Sequence, residues 1–173
     1  MVATGGPKRD PKTSVPAVTK KLRLFAVRIA TKDDGTYSFD PHGRLAALVP
    51  VRDRWGEIVE AVAFYLDEPE QWFLRFGDET PLLGASALNY AEGERQSLQL
   101  WETPMQWLLK HRTGAVVLDW DVDLRGLFED IPAIVCQSQA LRKRLEENFL
   151  QFGPRLTARS GVKPRAQVAR VVQ

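Results

Sequence analysis

The chain holds one cysteine, two histidines and no apolar run near the roughly 18 residues a membrane helix needs. The single Cys136 excludes an internal disulfide and any zinc site built on several thiolates. It lies in the apolar run 133–136, where a buried structural thiol is expected rather than a nucleophile. His42 stands in a Gly/Pro turn and His111 near a helix C-terminus, neither with a Cys or carboxylate at ligand spacing, so both are expected to face solvent. No Gly-x-Ser-x-Gly elbow surrounds Ser138, and Thr4-Gly5-Gly6-Pro7-Lys8 does not match a phosphate loop. The N-terminus carries no apolar signal core, so the expected location is cytoplasmic, with no membrane partner. No internal repeat is visible.

What is present is an ordinary globular composition, 44% hydrophobic and 27% charged over 173 residues, enough for one domain with a real core. Charge is distributed unevenly. Lys8, Arg9, Lys12, Lys20 and Lys21 face only Asp10 in residues 1–21. Arg155, Arg159, Lys163, Arg165 and Arg170 face no acid in residues 152–173. Since the net charge is only +2, the body between them is acidic. Basic ends of this kind suit polyanions, so these ten bases are the expected nucleic-acid-binding residues.

Residues 1–20 and 153–173 lack apolar periodicity and are expected to be disordered basic tails, flanking a single α+β domain over 21–152. Within it, residues 21–66 read as an antiparallel meander. Strands are expected over 21–30, 36–39, 45–51 and 58–66, with Asp34-Gly35 as a hairpin turn and Pro50 marking either a sheet edge or the end of its strand. Trp72, Phe73 and Phe76 recur at helical spacing and predict a short helix over 69–76. Leu82-Leu83 suits a short strand and 85–92 a helix.

Residues 97–150 read as a βαβαβα unit. Its strands are SLQLWE (97–102), AVVLD (115–119) and AIVCQ (133–137). Thr103-Pro104 starts one helix, expected to bury Met105, Leu108 and Leu109. A short helix follows over 124–128. Ser138 caps the last, expected to bury Leu141, Leu145 and Phe149 and to pair Arg142 with Glu146 and Lys143 with Glu147. Each strand ends in a polar residue. If the strands are parallel, Glu102, Asp119 and Gln137 gather at the sheet edge where open α/β sheets place ligands. Glu102 with Asp119, Asp121 and Asp123 could supply the oxygen set that Mg²⁺ favours in phosphoryl transfer. Aspartates are equally common at strand ends and helix starts, where they accept backbone N–H bonds. Trp101, Trp107 and Trp120 fall near the same edge and could stack on bases, but packing is the commoner use.

This strand-Glu-turn-helix-strand order resembles, over about residues 97–150, the core of the Toprim fold found in primases and topoisomerases. Residues 98–107, LQLWETPMQW, resemble its first motif, with Glu102 where that family keeps its catalytic Glu. Two departures stand out. Thr103 replaces the usual Gly, and Gln137-Ser138-Gln139 stands where the Asp-x-Asp follows the third strand. The resemblance therefore implies a degenerate member that has lost its metal pair.

The expectation that follows is a small non-enzymatic accessory or adaptor protein. It would contact nucleic acid, or a nucleic-acid-bound protein, through its basic tails, without cofactor or metal. The alternatives are a Mg-dependent, Toprim-like phosphoryl-transfer enzyme using Glu102, Asp119, Asp121 and Asp123, and a purely protein-binding module. The sequence leaves the oligomeric state open.

Overall fold

The computed structural model describes residues 25–77, 80–152 and, in backbone alone, 170–172. The expected tails over 1–20 and 153–169, and the start of the expected first strand at 21–24, lie outside the described residues. Within the segment expected to be a C-terminal tail, Arg170–Val172 forms a strand.

The N-terminal half is an antiparallel sheet: β1 (Phe25–Thr31), β2 (Tyr37–Phe39), β3 (Arg44–Arg52), β4 (Ile58–Tyr65) and β5 (Glu68–Leu74), in the order β2-β1-β3-β4-β5. β1 turns into β2 through Lys32–Thr36, where Gly35 takes φ +79° and the Asp34 carboxylate accepts from the Thr36 amide and hydroxyl. Two expectations fail here. Pro50 marks neither an edge nor the strand's end, because β3 is the middle strand of the sheet and runs on to Arg52. The described part of β1 begins at Phe25, opposite Leu48, so the residue that would face Pro50 on that side lies outside the described residues. Residues 69–76 are not a helix but largely β5, paired with β4 through Val62–Leu74 and Phe64–Trp72. The triplet Trp72, Phe73, Phe76 fits either period; the exposed edge of β4 decides for the strand, with Trp72 and Leu74 on one face and Phe73 on the other.

The C-terminal half is a mixed sheet: β6 (Leu82–Leu83), β7 (Leu98–Trp101), β8 (Ala115–Val117), β9 (Ala133–Cys136) and β10 (Arg170–Val172), in the order β10-β9-β7-β8-β6. β7, β8, β9 and β10 run parallel, and β6 pairs antiparallel with β8. The helices are α1 (Ser86–Gly93), α2 (Pro104–Leu109), α3 (Arg125–Phe128) and α4 (Gln139–Gln151). The α+β class and both halves thus match the expectation.

β8 is buried on both faces, as a central parallel strand should be. On one side Leu98, Leu100, Ala115 and Val117 pack under Leu88, Leu124, Phe128, Leu141 and Leu145 from the helical layer. On the other, Val116 and Leu118 join Trp107 and Leu108 of α2 against Val49, Val51, Val62 and Phe64 of the first sheet. α2 therefore buries Trp107 rather than the expected Leu109, which is exposed. The Trp107 indole donates to the Gly114 carbonyl at 2.9 Å. That approach needs two glycines: Gly84 and Gly114 both have positive φ, and a Cβ on Gly84 would lie 2.5 Å from the Gly114 oxygen. α4 buries Leu141 and Leu145 as expected, and its third fully buried residue is Asn148; Phe149 is half-buried. Both expected ion pairs on its wet face are present.

The first sheet's outer face carries a small cluster of Ile29, Tyr37, Ala46, Ala63 and Tyr65. Tyr37 is fully buried, and its hydroxyl has no hydrogen-bond partner among the described residues; burial pushes its pKa up to about 12. An unpaired buried hydroxyl costs free energy that its removal recovers. Tyr37→Phe is expected to leave stability unchanged or raise it by up to about 1 kcal/mol in urea unfolding; a loss of that size would mean the hydroxyl has a partner.

Candidate active site at the ends of the parallel strands

Glu102 follows β7, the middle strand of the second sheet, and stands immediately before α2. Its position is fixed locally. Thr103 caps α2 by accepting from the Gln106 amide at 3.2 Å, while the Gln106 side chain accepts from the amides of Thr103 and Glu102 at 3.1 and 3.0 Å. This is the capping box that Thr103-Pro104 announces, and it orients the Glu102 backbone. The carboxylate is tied to the neighbouring strand: the Ser138 hydroxyl donates to Glu102 Oε1 and accepts from the Leu141 amide as the cap of α4. Gln137, at the end of β9, accepts weakly from the Glu102 amide at 3.4 Å.

Two cavities open beside these strand ends. One, of about 280 Å³, is lined by Glu102, Thr103 and Gln106 from the α2 start, Ala140 and Leu141 from α4, and Glu70 from β5. The other, of about 420 Å³, is lined by Leu118, Asp119 and Asp121 together with Asp34, Gly35, Leu74 and Gly77 of the first sheet. Trp72, Trp120 and Arg144 border both. The two cavities therefore form one cleft where the sheets meet. The Trp72 indole reaches the Leu118 carbonyl at 3.4 Å and holds β5 to this edge.

The structure divides the four candidate carboxylates. Asp119 lines the larger cavity, and its Oδ1 accepts from the Asp121 amide at 2.8 Å. Asp121 lines the same cavity. Asp123 lines neither cavity. It accepts from the Arg125 amide and pairs with that guanidinium at 3.1 Å, which holds its carboxyl below the usual range. Glu102 lines the smaller cavity, and no cavity is lined by both Glu102 and an aspartate of the 119–123 loop.

The Mg²⁺ pair implied by the Toprim resemblance does not fit these residues. The third strand ends in neutral Gln137, Ser138 and Gln139, and one Glu102 oxygen is already engaged by Ser138. Among the described residues, no three of His, Cys, Asp and Glu gather closely enough to hold a metal ion.

Several site residues carry no signal in the sequence. Arg144 lies in the second turn of α4 and is exposed, and its guanidinium stacks on Trp120 at 4.3 Å. Burial draws its pKa down, and Asp121 works the other way. No hydrogen bond or ion pair engages it among the described residues. Asn148 shapes the aspartate loop: its Nδ2 donates to the Trp120 and Val122 carbonyls at 2.9 Å each, and its Oδ1 accepts from the Leu124 amide at 3.2 Å. Trp72 and Glu70 belong to the segment expected to be helical. The other tryptophans near this edge are packing residues: Trp107 is buried, and Trp101 donates to the Thr113 carbonyl at 2.7 Å. Cys136 is half-buried, and burial pushes its thiol up to about 11, in keeping with a structural role. His42 and His111 are exposed.

No family model matches the chain, and no curated protein matches it. Solved structures do. A DNA primase domain from Pseudomonas aeruginosa is 21% identical at a TM-score of 0.47, over 70% of this chain and 44% of that one. The E. coli primase catalytic core is 17% identical at 0.44, over 69% and 43%. The Aquifex aeolicus primase zinc-binding and RNA polymerase domains are 16% identical at 0.44, over 69% and 34%. The chain spans less than half the length of each.

This finding corrects the first functional expectation. The structures the chain is similar to include catalytic cores, not non-enzymatic adaptors reading nucleic acid through their tails. The tail bases Lys8, Arg9, Lys12, Lys20, Lys21, Arg155, Arg159, Lys163 and Arg165 lie outside the described residues, and Arg170 is described in backbone alone. No described helix is long and apolar enough to cross a membrane.

Proposed function

We propose that this chain is a Toprim-like domain of the phosphoryl-transfer class, acting on a phosphodiester of nucleic acid held in the cleft where the two sheets meet. The observation that carries this reading is the placement of Glu102. It follows directly on the middle parallel strand, is held by Ser138, and lines a cavity that shares Arg144 and two tryptophans with its neighbour. Each part has a chemical use. Glu102 takes the proton of the attacking hydroxyl or water as its oxygen bonds to phosphorus, and the P–O bond on the opposite side breaks, its oxygen leaving with the electron pair and taking a proton from solvent. Arg144 offers the cleft's cation to a phosphate oxygen. Trp72 and Trp120 offer indole surface on which a base can stack.

The test is turnover by the full chain on single-stranded DNA with ribonucleotides, scoring primer synthesis and phosphodiester cleavage with and without Mg²⁺. Glu102→Gln is expected to lower kcat by about a hundredfold or more with little change in KM, since a lost proton acceptor acts on the chemical step. Equal turnover in the variant, or none by the native chain in any condition, would overturn the reading.

A further inference from the structure

We infer that the Glu102 site works without a divalent cation, its place being taken by the Ser138 hydroxyl and the Arg144 guanidinium. The inference rests on the phosphoryl-transfer reading and concerns how that same site is charged. Three observations carry it. First, the ligand chemistry is wrong for an ion. A carboxylate that anchors Mg²⁺ needs anionic or water oxygens beside it. Beside Glu102 stand Gln137 and Ser138, and Ser138 directs its hydroxyl hydrogen at Oε1, where an ion would otherwise bind. Second, the aspartates do not complete the shell: among the described residues no three of His, Cys, Asp and Glu gather closely enough to hold a metal ion. Asp119 and Asp121 line the larger cavity, Glu102 the smaller, and Trp120 and Arg144 border both. Third, Arg144 is itself a cation in that shared position. It is stacked on Trp120 and left without a hydrogen bond or ion pair among the described residues. A guanidinium there repels a divalent ion and supplies positive charge towards the carboxylates on either side.

The site therefore has a hydrogen bond and an exposed arginine stacked on Trp120 where an ion-dependent site has a metal. Restoring acids at the third strand should restore the ion. The experiment is calorimetry of the full chain with MgCl₂ and with MnCl₂, which needs no substrate. The native chain is expected to give no saturable binding into the millimolar range. The double variant Gln137→Asp, Gln139→Asp is expected to bind roughly tenfold more tightly or better, and to lose that gain when Glu102→Gln is added. Arg144→Gln in the double variant is expected to tighten it further. Thermal melts of each variant establish that it is folded.

Sub-millimolar binding by the native chain, lost in Glu102→Gln, would overturn the inference. So would a folded double variant that gains nothing, because neutral Gln137 and Gln139 would then not be what keeps the ion out. The two readings fail separately. Metal held by native Glu102 with Glu102-dependent turnover defeats the inference and leaves phosphoryl transfer standing. No metal binding and no turnover does the reverse.

Discussion

Glu60→Gln is expected to lower stability by about 3 kcal/mol or more. Glu60 lies in β4 and is only 1% exposed. Its two carboxylate oxygens accept from the amides of Ala61, Arg75, Phe76 and Gly77, at 2.7 to 3.1 Å. A charged acceptor serving several buried N–H groups contributes more than a neutral one, and leaving those donors unpaired adds their desolvation cost. Glutamine keeps the shape but turns one oxygen into a donor facing donors. The effect reaches the cleft, because the segment Glu60 holds follows β5, which carries Trp72, and contains Gly77 of the larger cavity. Urea unfolding followed by circular dichroism reads the loss. A midpoint unchanged from the native chain would mean that water, not Glu60, satisfies these amides.

Asn148→Leu is expected to cost about 3 kcal/mol and to loosen the loop of residues 120–124 before the rest of the chain unfolds. Leucine is close in volume, so packing is nearly kept and the change isolates three hydrogen bonds. Those bonds satisfy one amide and two carbonyls of a turn that no other described hydrogen bond from α4 serves. Hydrogen exchange at 120–124 should accelerate more than in β7 or β8. Uniform acceleration everywhere would place Asn148 in global stability alone. Because Asp121 and Trp120 sit in this loop, the variant should also weaken whatever the larger cavity binds.

Most of the second sheet is legible from the sequence, because its strands are short apolar runs bounded by turn and cap residues. Thr103-Pro104, Gly114 and Ser138 each mark a boundary that local chemistry enforces, and each stands where expected. The first sheet is less legible. Pro50 lacks an amide donor, but β3 lies between β1 and β4 all the same, and the order of strands in a sheet is a tertiary fact that one residue does not set. Trp72 and Phe73 are consistent with either period, and the choice belongs to β4, which needs a partner. α2 hides a different difficulty. Trp107 is buried because two glycines let the backbone close over its indole, a tertiary fact that no spacing reveals.

Of the candidate site, Glu102 and its strand edge are readable, since parallel strands bring their C-terminal residues together. What cannot be read is which carboxylates share a cavity. Asp119, Asp121 and Asp123 are near one another in sequence, yet the turn sends Asp123 to Arg125 and leaves the other two in the larger cavity. Arg144 looks like one more helix-surface cation beside Arg142 and Lys143, which do pair along the helix. Only the packing of α4 against the Trp120 loop shows that Arg144 belongs to the cleft.

The claim at the centre is that the cleft at Glu102, not the basic ends of the chain, carries the function. The most direct measurement compares phosphodiester turnover in three full-length proteins: native, Glu102→Gln, and a variant with Arg155, Arg159, Lys163 and Arg165 changed to Gln. Turnover lost in Glu102→Gln and kept at saturating substrate in the variant with neutral Gln at those positions is the result expected. Turnover kept in Glu102→Gln and lost when those four bases are neutralised would contradict it.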